Sequence, residues 1–152
     1  MRIGIGSDIH RLAGGRPLMI GGIEIPSEKG EAAHSDGDVL IHAIIDAILG
    51  ATASGDIGAL YPDTSPETEG MDSAMMLGSV IRDTGVRIIN LDTTVNLEKP
   101  KLRPYIEAIR TRLSAITGIP VRNISVKAKT AEGLGPIGEG LAVSAEAVVL
   151  VE

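Results

Sequence analysis

The sequence predicts an α+β fold: a two-layer sandwich of a four-to-five-stranded mixed sheet with helices on one face. Two observations carry this. Apolar residues alternate with a period of two in some segments and recur at the helical period in others, and these segments follow one another in the order ββααβαββ. At 152 residues, 43% of them hydrophobic, the chain has material for one core, and no linker or repeat divides it, so residues 1–152 are expected to form a single domain.

Residues 2–9 place Ile3, Ile5 and Ile9 on one face of a strand and Gly4, Gly6, Asp8 and His10 on the other. A short second strand is expected over Leu18 to Ile25, ending at Pro26. Helices are expected over 38–50, over 72–84 from Asp72 or Ser73, and over 102–117. The last of these keeps Leu102, Ile106, Ile109, Leu113 and Ile116 in register, with Gly118-Ile119-Pro120 as its stop. Ile89, Leu91, Thr93, Val95 and Leu97 alternate as a strand, as do Ile124, Val126 and Ala128. Leu141 to Val151 is small or apolar on both faces except at Ser144 and Glu146, which reads as a central or doubly covered strand. A sheet with helices on one side leaves its other face to be covered, so a homo-oligomer is expected.

Composition excludes several function classes. Two Tyr and no Phe or Trp give no platform for stacking bases, and the absence of Cys removes disulfides, thiolate metal sites and thiol nucleophiles. The net charge of −6 is uneven: residues 1–72 carry 12 acids and 4 bases, residues 73–152 carry 8 and 10. With no dense basic stripe, nucleic acid is not an expected partner, and an anionic ligand would need a divalent cation as bridge. Residues 1–10 show no basic segment leading into an apolar run, and no uncharged run approaches the roughly 20 residues of a membrane span. A cytoplasmic protein without a membrane partner is expected.

The helix at 38–50 is apolar nearly all round, with Asp38, His42 and Asp46 as its only polar side chains, spaced as one stripe. That stripe fits either a polar strip or core histidine satisfied by Asp38 or Asp46, or a ligand site. The first strand favours the second reading: Asp8 and His10 share a face, and with His42 they make a set of two imidazoles and one carboxylate that leaves a coordination position open. His34-Ser35-Asp36-Gly37-Asp38 precedes the helix, with Ser35 or Asp36 as a ready N-cap. Gly55 to Gly58 and Tyr61 to Pro66 form a long polar loop. Lys127 to Gly135 leaves a strand into a Gly-rich turn carrying two ammoniums, a hydroxyl and a carboxylate, a mix that suits phosphate and a hard cation at Glu132, or simply a solvated turn.

Taken together, Ser7-Asp8-Ile9-His10, Ala33 to Val39 continuing to His42, Gly55-Asp56-Ile57-Gly58, Pro62-Asp63-Thr64, Lys99-Pro100-Lys101-Leu102 and Lys127 to Gly135 resemble the 2-C-methyl-D-erythritol 2,4-cyclodiphosphate synthase family of the non-mevalonate isoprenoid pathway. The resemblance covers essentially the whole chain in order. It implies a homotrimer with active sites between subunits, and conversion of 4-diphosphocytidyl-2-C-methyl-D-erythritol 2-phosphate into the cyclic diphosphate with release of CMP. It also implies a zinc-type ion on Asp8, His10 and His42, and a magnesium or manganese ion on the substrate diphosphate held in part by Glu132. His34 and Thr130 would be the catalytic, transition-state-stabilising groups. Asp8, His10, His34, Ser35, Asp56, Gly58, Tyr61 and Asp63 would contact substrate, together with Lys101, Leu102, Lys129, Thr130 and Glu132 from the cytidine side. The chain departs from the family pattern at Pro136-Ile137-Gly138-Glu139-Gly140, which is shorter and lacks an Arg, a loss that Lys129 is placed to offset. Two other functions fit the same residues: a trimeric regulatory or ligand-binding module with a structural metal, and a metal-dependent phosphohydrolase.

Overall fold

The computed structural model describes residues 1–152 except 63, 65, 67 and 68. In chain order the elements are β1 (Arg2–Gly14), β2 (Leu18–Ile20), β3 (Ile23–Ile25), β4 (Lys29–Glu31), α1 (Val39–Thr52), α2 (Ile57–Leu60), α3 (Ser73–Thr84), β5 (Ile88–Asn96), α4 (Ile106–Thr117), β6 (Ile124–Lys129), α5 (Gly135–Gly138) and β7 (Ala142–Val151). Five strands form one mixed sheet in the order β4-β1-β7-β5-β6. Only β5 and β6 run parallel, and α4 makes the crossover that a parallel pair requires. The α+β sandwich expected from the sequence is the one observed.

The layers meet most closely at β1 and α1. A Cβ built on Gly4 would lie 1.8 Å from the Ala47 carbonyl oxygen, and one on Gly6 would lie 2.1 Å from that of Ala43. The helix backbone therefore rests directly on the strand. The two elements run antiparallel in step, because two strand residues advance about 6.8 Å and four helix residues about 6 Å. Val39, Leu40, Ile41, Ala43, Ile44, Ile45, Ala47 and Ile48 are fully buried beneath β2, β7 and α3. The helix is apolar all round because it is covered on all sides.

Several expected details differ. The second strand is a hairpin, β2 and β3, turned by Gly21 and Gly22 at φ 62° and 76°, positions where a side chain is strained. The cap of α1 is Asp38, whose side chain accepts from Ile41 N, rather than Ser35 or Asp36. The third helix starts at Ile106, after a 3-10 turn at Arg103–Tyr105, because Pro104 has no N–H to continue a helix inward from 102. The C-terminal strand is central but not doubly covered within the chain: Ala145, Ala147, Val149 and Val151 face α1, while Glu146 and Val148 are exposed. Ile3, Ile5 and Ile9 lie on that same outer face at 70%, 74% and 60% exposure, and Ile5 pairs with Val148 across the ladder.

Two buried carboxylates tie the hairpin to α1. Asp38 accepts from Gly21 N, Gly22 N and Ile41 N, and Glu31 accepts from Met19 N and Val39 N. Burial pushes Asp38 up to about 6, against those hydrogen bonds. Burial and the neighbouring Asp38 push Glu31 up to about 9.

Two outcomes follow for stability. Gly6→Ala places a methyl against backbone and should cost at least about 2 kcal/mol, whereas Gly50→Ala, whose Cβ meets nothing closer than 3.6 Å, should be neutral or gain up to about 1 kcal/mol in urea denaturation. A Gly6→Ala protein as stable as wild type would contradict the close packing. The folded chain keeps a Glu31 proton that the unfolded chain releases above about pH 4.5, so stability falls as pH rises from there to about 9. Glu31→Gln should flatten that fall by up to about 1.4 kcal/mol per pH unit between pH 6 and 8.5, and equal slopes for the two proteins would refute the assignment.

Candidate functional site

Beyond Gly6 the inward face of β1 carries Asp8 and then His10, and the first turn of α1 brings His42 over them. Asp8 Oδ2 lies 2.9 Å from His10 Nε2 and 3.1 Å from His42 Nδ1. The rings stand nearly perpendicular, at 77°, with centroids 5.1 Å apart. Asp8 Oδ1 accepts from Ile9 N, which fixes the carboxylate's turn. His10 Nδ1 is 2.7 Å from the Gly37 carbonyl oxygen. A carbonyl only accepts, so Nδ1 carries a proton and Nε2 is directed at Asp8.

One carboxylate oxygen and two imidazole nitrogens thus converge, all within 4.8 Å of one another. Such a set calls for a positive charge at its centre. Burial pushes the Asp8 carboxyl up, but hydrogen bonds from His10 and His42 outweigh it and hold Asp8 well below the usual carboxylate range. Burial likewise pushes His10 down, and the contact with Asp8 outweighs it and raises it. A divalent ion fits the same three atoms: ligands about 2.0–2.2 Å from a tetrahedral ion stand roughly 3.3–3.6 Å from one another, so the two contacts with Asp8 need open by only a few tenths of an ångström.

The three groups open onto a cleft of about 440 Å³. His34, Ser35, Gly58 and Tyr61, each expected at the substrate, line it, with Ile57 and Met76 as apolar wall. Asp56 does not line the cleft; its carboxylate caps α2 by accepting from Ala59 N. Asp46, the far member of the helix stripe, accepts from Ile57 N at 2.7 Å and so fastens α2 to α1. Asp38 is fully buried in the hairpin clamp and takes no part in the ligand set. Asp63 lies outside the described residues.

The remaining expected residues lie elsewhere in the chain. Asp8, Ala145, Val95 and Ala128 stand in one row across β1, β7, β5 and β6. Three strand spacings place Ala128 about 14 Å from Asp8. Lys129, Thr130 and Glu132 continue outward from that far edge. Thr130 Oγ1 donates to Glu132 Oε1 at 2.9 Å, and Ala131 N donates to Glu98 Oε2 at 3.0 Å, which ties the turn to the segment before α4. Glu132 is held at φ 52°, a backbone region that costs a non-glycine residue about 1 kcal/mol or more. Lys101 lines a second cleft of about 760 Å³ with Lys29 and Lys99, while the Leu102 side chain is buried in the core. A third, open groove of about 820 Å³ runs along β6, where Lys127 is paired with Asp92 and Arg110 with Glu107.

The match to known proteins is full length. The model of the YgbB family covers residues 1–152. The chain belongs to the YgbB family. It is 50% identical over 155 residues to the 2-C-methyl-D-erythritol 2,4-cyclodiphosphate synthase of Gloeobacter violaceus, spanning 100% of this chain and 95% of that protein. Among solved structures, a 2C-methyl-D-erythritol-2,4-cyclodiphosphate synthase in a CDP-bound form superposes with a TM-score of 0.91 at 42% identity, over 99% of this chain and 100% of that one. The bifunctional IspDF of Campylobacter jejuni superposes with a TM-score of 0.94 at 36% identity, over 99% of this chain and 42% of that chain.

Sequence reasoning missed two groups in this YgbB chain. Ser73 and Asp36 stand behind His42, with Ser73 Oγ 2.9 Å from His42 Nε2. No spacing rule links a serine at the start of α3 to a histidine 31 residues earlier. The apolar wall at Ile57 and Met76 was equally silent, since Met76 reads as an ordinary helix residue and Ile57 as part of a polar loop, where the structure instead forms the short α2 capped by Asp56.

Proposed function

We propose that the chain is a 2-C-methyl-D-erythritol 2,4-cyclodiphosphate synthase. It would convert 4-diphosphocytidyl-2-C-methyl-D-erythritol 2-phosphate into the cyclic diphosphate with release of CMP. The observation that carries this reading is the convergence of Asp8, His10 and His42 at the mouth of a cleft, in a chain half identical throughout its length to a protein of that name. In the reaction an oxygen of the substrate's 2-phosphate forms a bond to the β-phosphorus. The bond from that phosphorus to the bridging oxygen breaks, and CMP leaves with the electron pair. No protein nucleophile is needed; positioning and charge neutralisation suffice.

Zinc suits two imidazoles and one carboxylate, and would supply Lewis-acid charge at the phosphate oxygens when bound. Asp8, His10 and His42 would hold the ion beside the cleft. His34 donates to phosphate oxygens as charge develops on them. Ser35 and Gly58 bind the methylerythritol phosphate portion, Asp56 shapes that wall by capping α2, and Tyr61 and Asp63 belong to the substrate loop. Lys101, Leu102, Lys129, Thr130 and Glu132 supply the cytidine diphosphate side, Leu102 through its backbone, with Glu132 toward a magnesium or manganese ion.

Two of these groups of residues stand about 14 Å apart in one chain, so the second comes from a neighbouring copy, and a homotrimer is the assembly that closes three such sites. Two features support it: the exposed Ile3, Ile5, Ile9 and Val148 face, and the left-handed backbone of Glu132 on a turn remote from the histidines. Among the described residues no helix is long and apolar enough to cross a membrane. A cytoplasmic location fits the absence of Cys. Full-length identity to proteins named as synthases leaves a non-catalytic metal module or a phosphohydrolase without an observation in its favour.

Phosphorus NMR of the protein with the substrate and Mg²⁺ tests the reading. Cyclic diphosphate and CMP should form, stop on chelation and return with zinc. Inorganic phosphate as product, or intact substrate over metal-loaded protein, would refute it.

A further inference from the structure

We propose that Ser73 and Asp36 are positioning residues that fix the tautomer of His42, holding its proton on Nε2 and leaving the Nδ1 lone pair for the ion. The inference rests on the metal reading of Asp8, His10 and His42, but its geometry stands by itself. His42 Nε2, the ring nitrogen not facing Asp8, lies 2.9 Å from Ser73 Oγ and 3.2 Å from Ser35 Oγ. Ser73 is fully buried and forms a very short hydrogen bond to Asp36 Oδ1. Asp36 also accepts from the backbone N–H of Ser73 through Oδ2 and from that of Asp38 through Oδ1.

The direction of the chain follows from counting protons. A carboxylate only accepts, so the single hydroxyl proton of Ser73 goes to Asp36. Ser73 Oγ then has only lone pairs for His42, and at 2.9 Å Nε2 must carry the hydrogen. Ser35 Oγ accepts from Gly37 N at 3.1 Å and has room for a weaker share of the same Nε2 hydrogen. With its hydrogen on Nε2 the ring offers Nδ1 to the ion, 3.1 Å from Asp8 Oδ2 and next to His10 Nε2; in the metal-free chain a hydrogen on Nδ1 is the one that Asp8 accepts. The Gly37 carbonyl does the same for His10. Both histidines are thus set from behind, one by a main-chain acceptor and one by a serine relay that ends on a carboxylate. Such outer partners orient ligand rings and raise their basicity.

The relay also ties the site to α3. Asp36 N donates to Met71 O and Gly70 N to His34 O, so the 34–36 and 70–73 segments close on each other just behind the cleft. Asp36 is therefore the joint between α3 and the loop that carries His34 and Ser35.

Two variants separate a relay from a merely structural contact. Asp36→Ala removes the carboxylate that takes the Ser73 hydroxyl proton, which frees that hydroxyl to donate to His42 Nε2 and drives the histidine proton to Nδ1. Ser73→Ala removes the relay outright. Long-range proton–nitrogen NMR spectra of ¹⁵N-labelled, metal-free protein read which ring nitrogens carry hydrogen. Wild type should show a hydrogen on His42 Nε2, and Asp36→Ala should lose it and keep one on Nδ1 alone. Zinc affinity by competition with a chelator should fall 10- to 100-fold in both variants, roughly the effect of losing an outer-shell partner.

A wild-type His42 that carries a hydrogen on Nε2 and keeps it in Asp36→Ala, with unchanged zinc affinity, would overturn the inference, and so would a wild-type hydrogen on Nδ1 alone. If one variant does not fold, the other decides, since unchanged zinc affinity in Ser73→Ala would overturn it as well. If wild type binds no zinc at all, the metal reading fails, while the tautomer spectra of the metal-free protein still decide whether the relay exists.

Discussion

The contact of α1 with β1 through Gly4 and Gly6 is the constraint on which the rest of the molecule depends. With no side chain at either glycine, helix backbone sits on strand backbone. The next inward positions, Asp8 and His10, then fall directly under the start of the helix, within hydrogen-bond distance of His42. A larger residue at position 6 would push the helix outward and pull His42 away from Asp8 without changing a single ligand. The convergence of Asp8, His10 and His42 is a consequence of packing between two elements of the core. The three side chains occupy the point where that packing reaches its open end.

The excess of carboxylates in the first 72 residues has a structural use that charge counting alone does not reveal. Glu31, Asp36, Asp38, Asp46, Asp56 and Asp72 each accept from backbone N–H groups at a turn or a helix start. They fasten the hairpin, α2 and α3 around the site. Read from composition, this acidity called for a bridging cation. In the structure these six of the twelve carboxylates are engaged by main-chain donors, and Asp8 presents one oxygen to both imidazoles.

The sandwich, the start of α3 at Asp72, the stop of α4 at Gly118, and the pairing of Asp8 with His10 were legible because each rests on local spacing. His42 was legible because a lone imidazole in an apolar helix has few other uses. What escaped was long-range or two-valued. Asp38 and Asp46 share the stripe with His42, yet one is sealed beneath Gly21 and Gly22 and the other reaches Ile57, destinations set by chain segments that helical spacing does not address. The outer face of β7 read as covered because Val148 and Leu150 are apolar, and in the single chain Val148 faces outward beside Ile5. Thr130 and Glu132 carry a motif, but they follow a strand three places along the sheet from the one that bears Asp8 and His10, which is why the roles proposed for them call for a second copy.

The account's central claim is that one chain supplies the ion site and another supplies Thr130 and Glu132. Mixing tests it directly. Subunits of His42→Ala and Glu132→Ala, each inactive alone, are denatured together in equal amounts, refolded and assayed for CMP release, with native mass spectrometry confirming mixed trimers. Random assortment in a ring pairs an intact ion site with an intact Glu132 at about one site in four, so about a quarter of wild-type activity should return. Mixed trimers that remain inactive would contradict the claim.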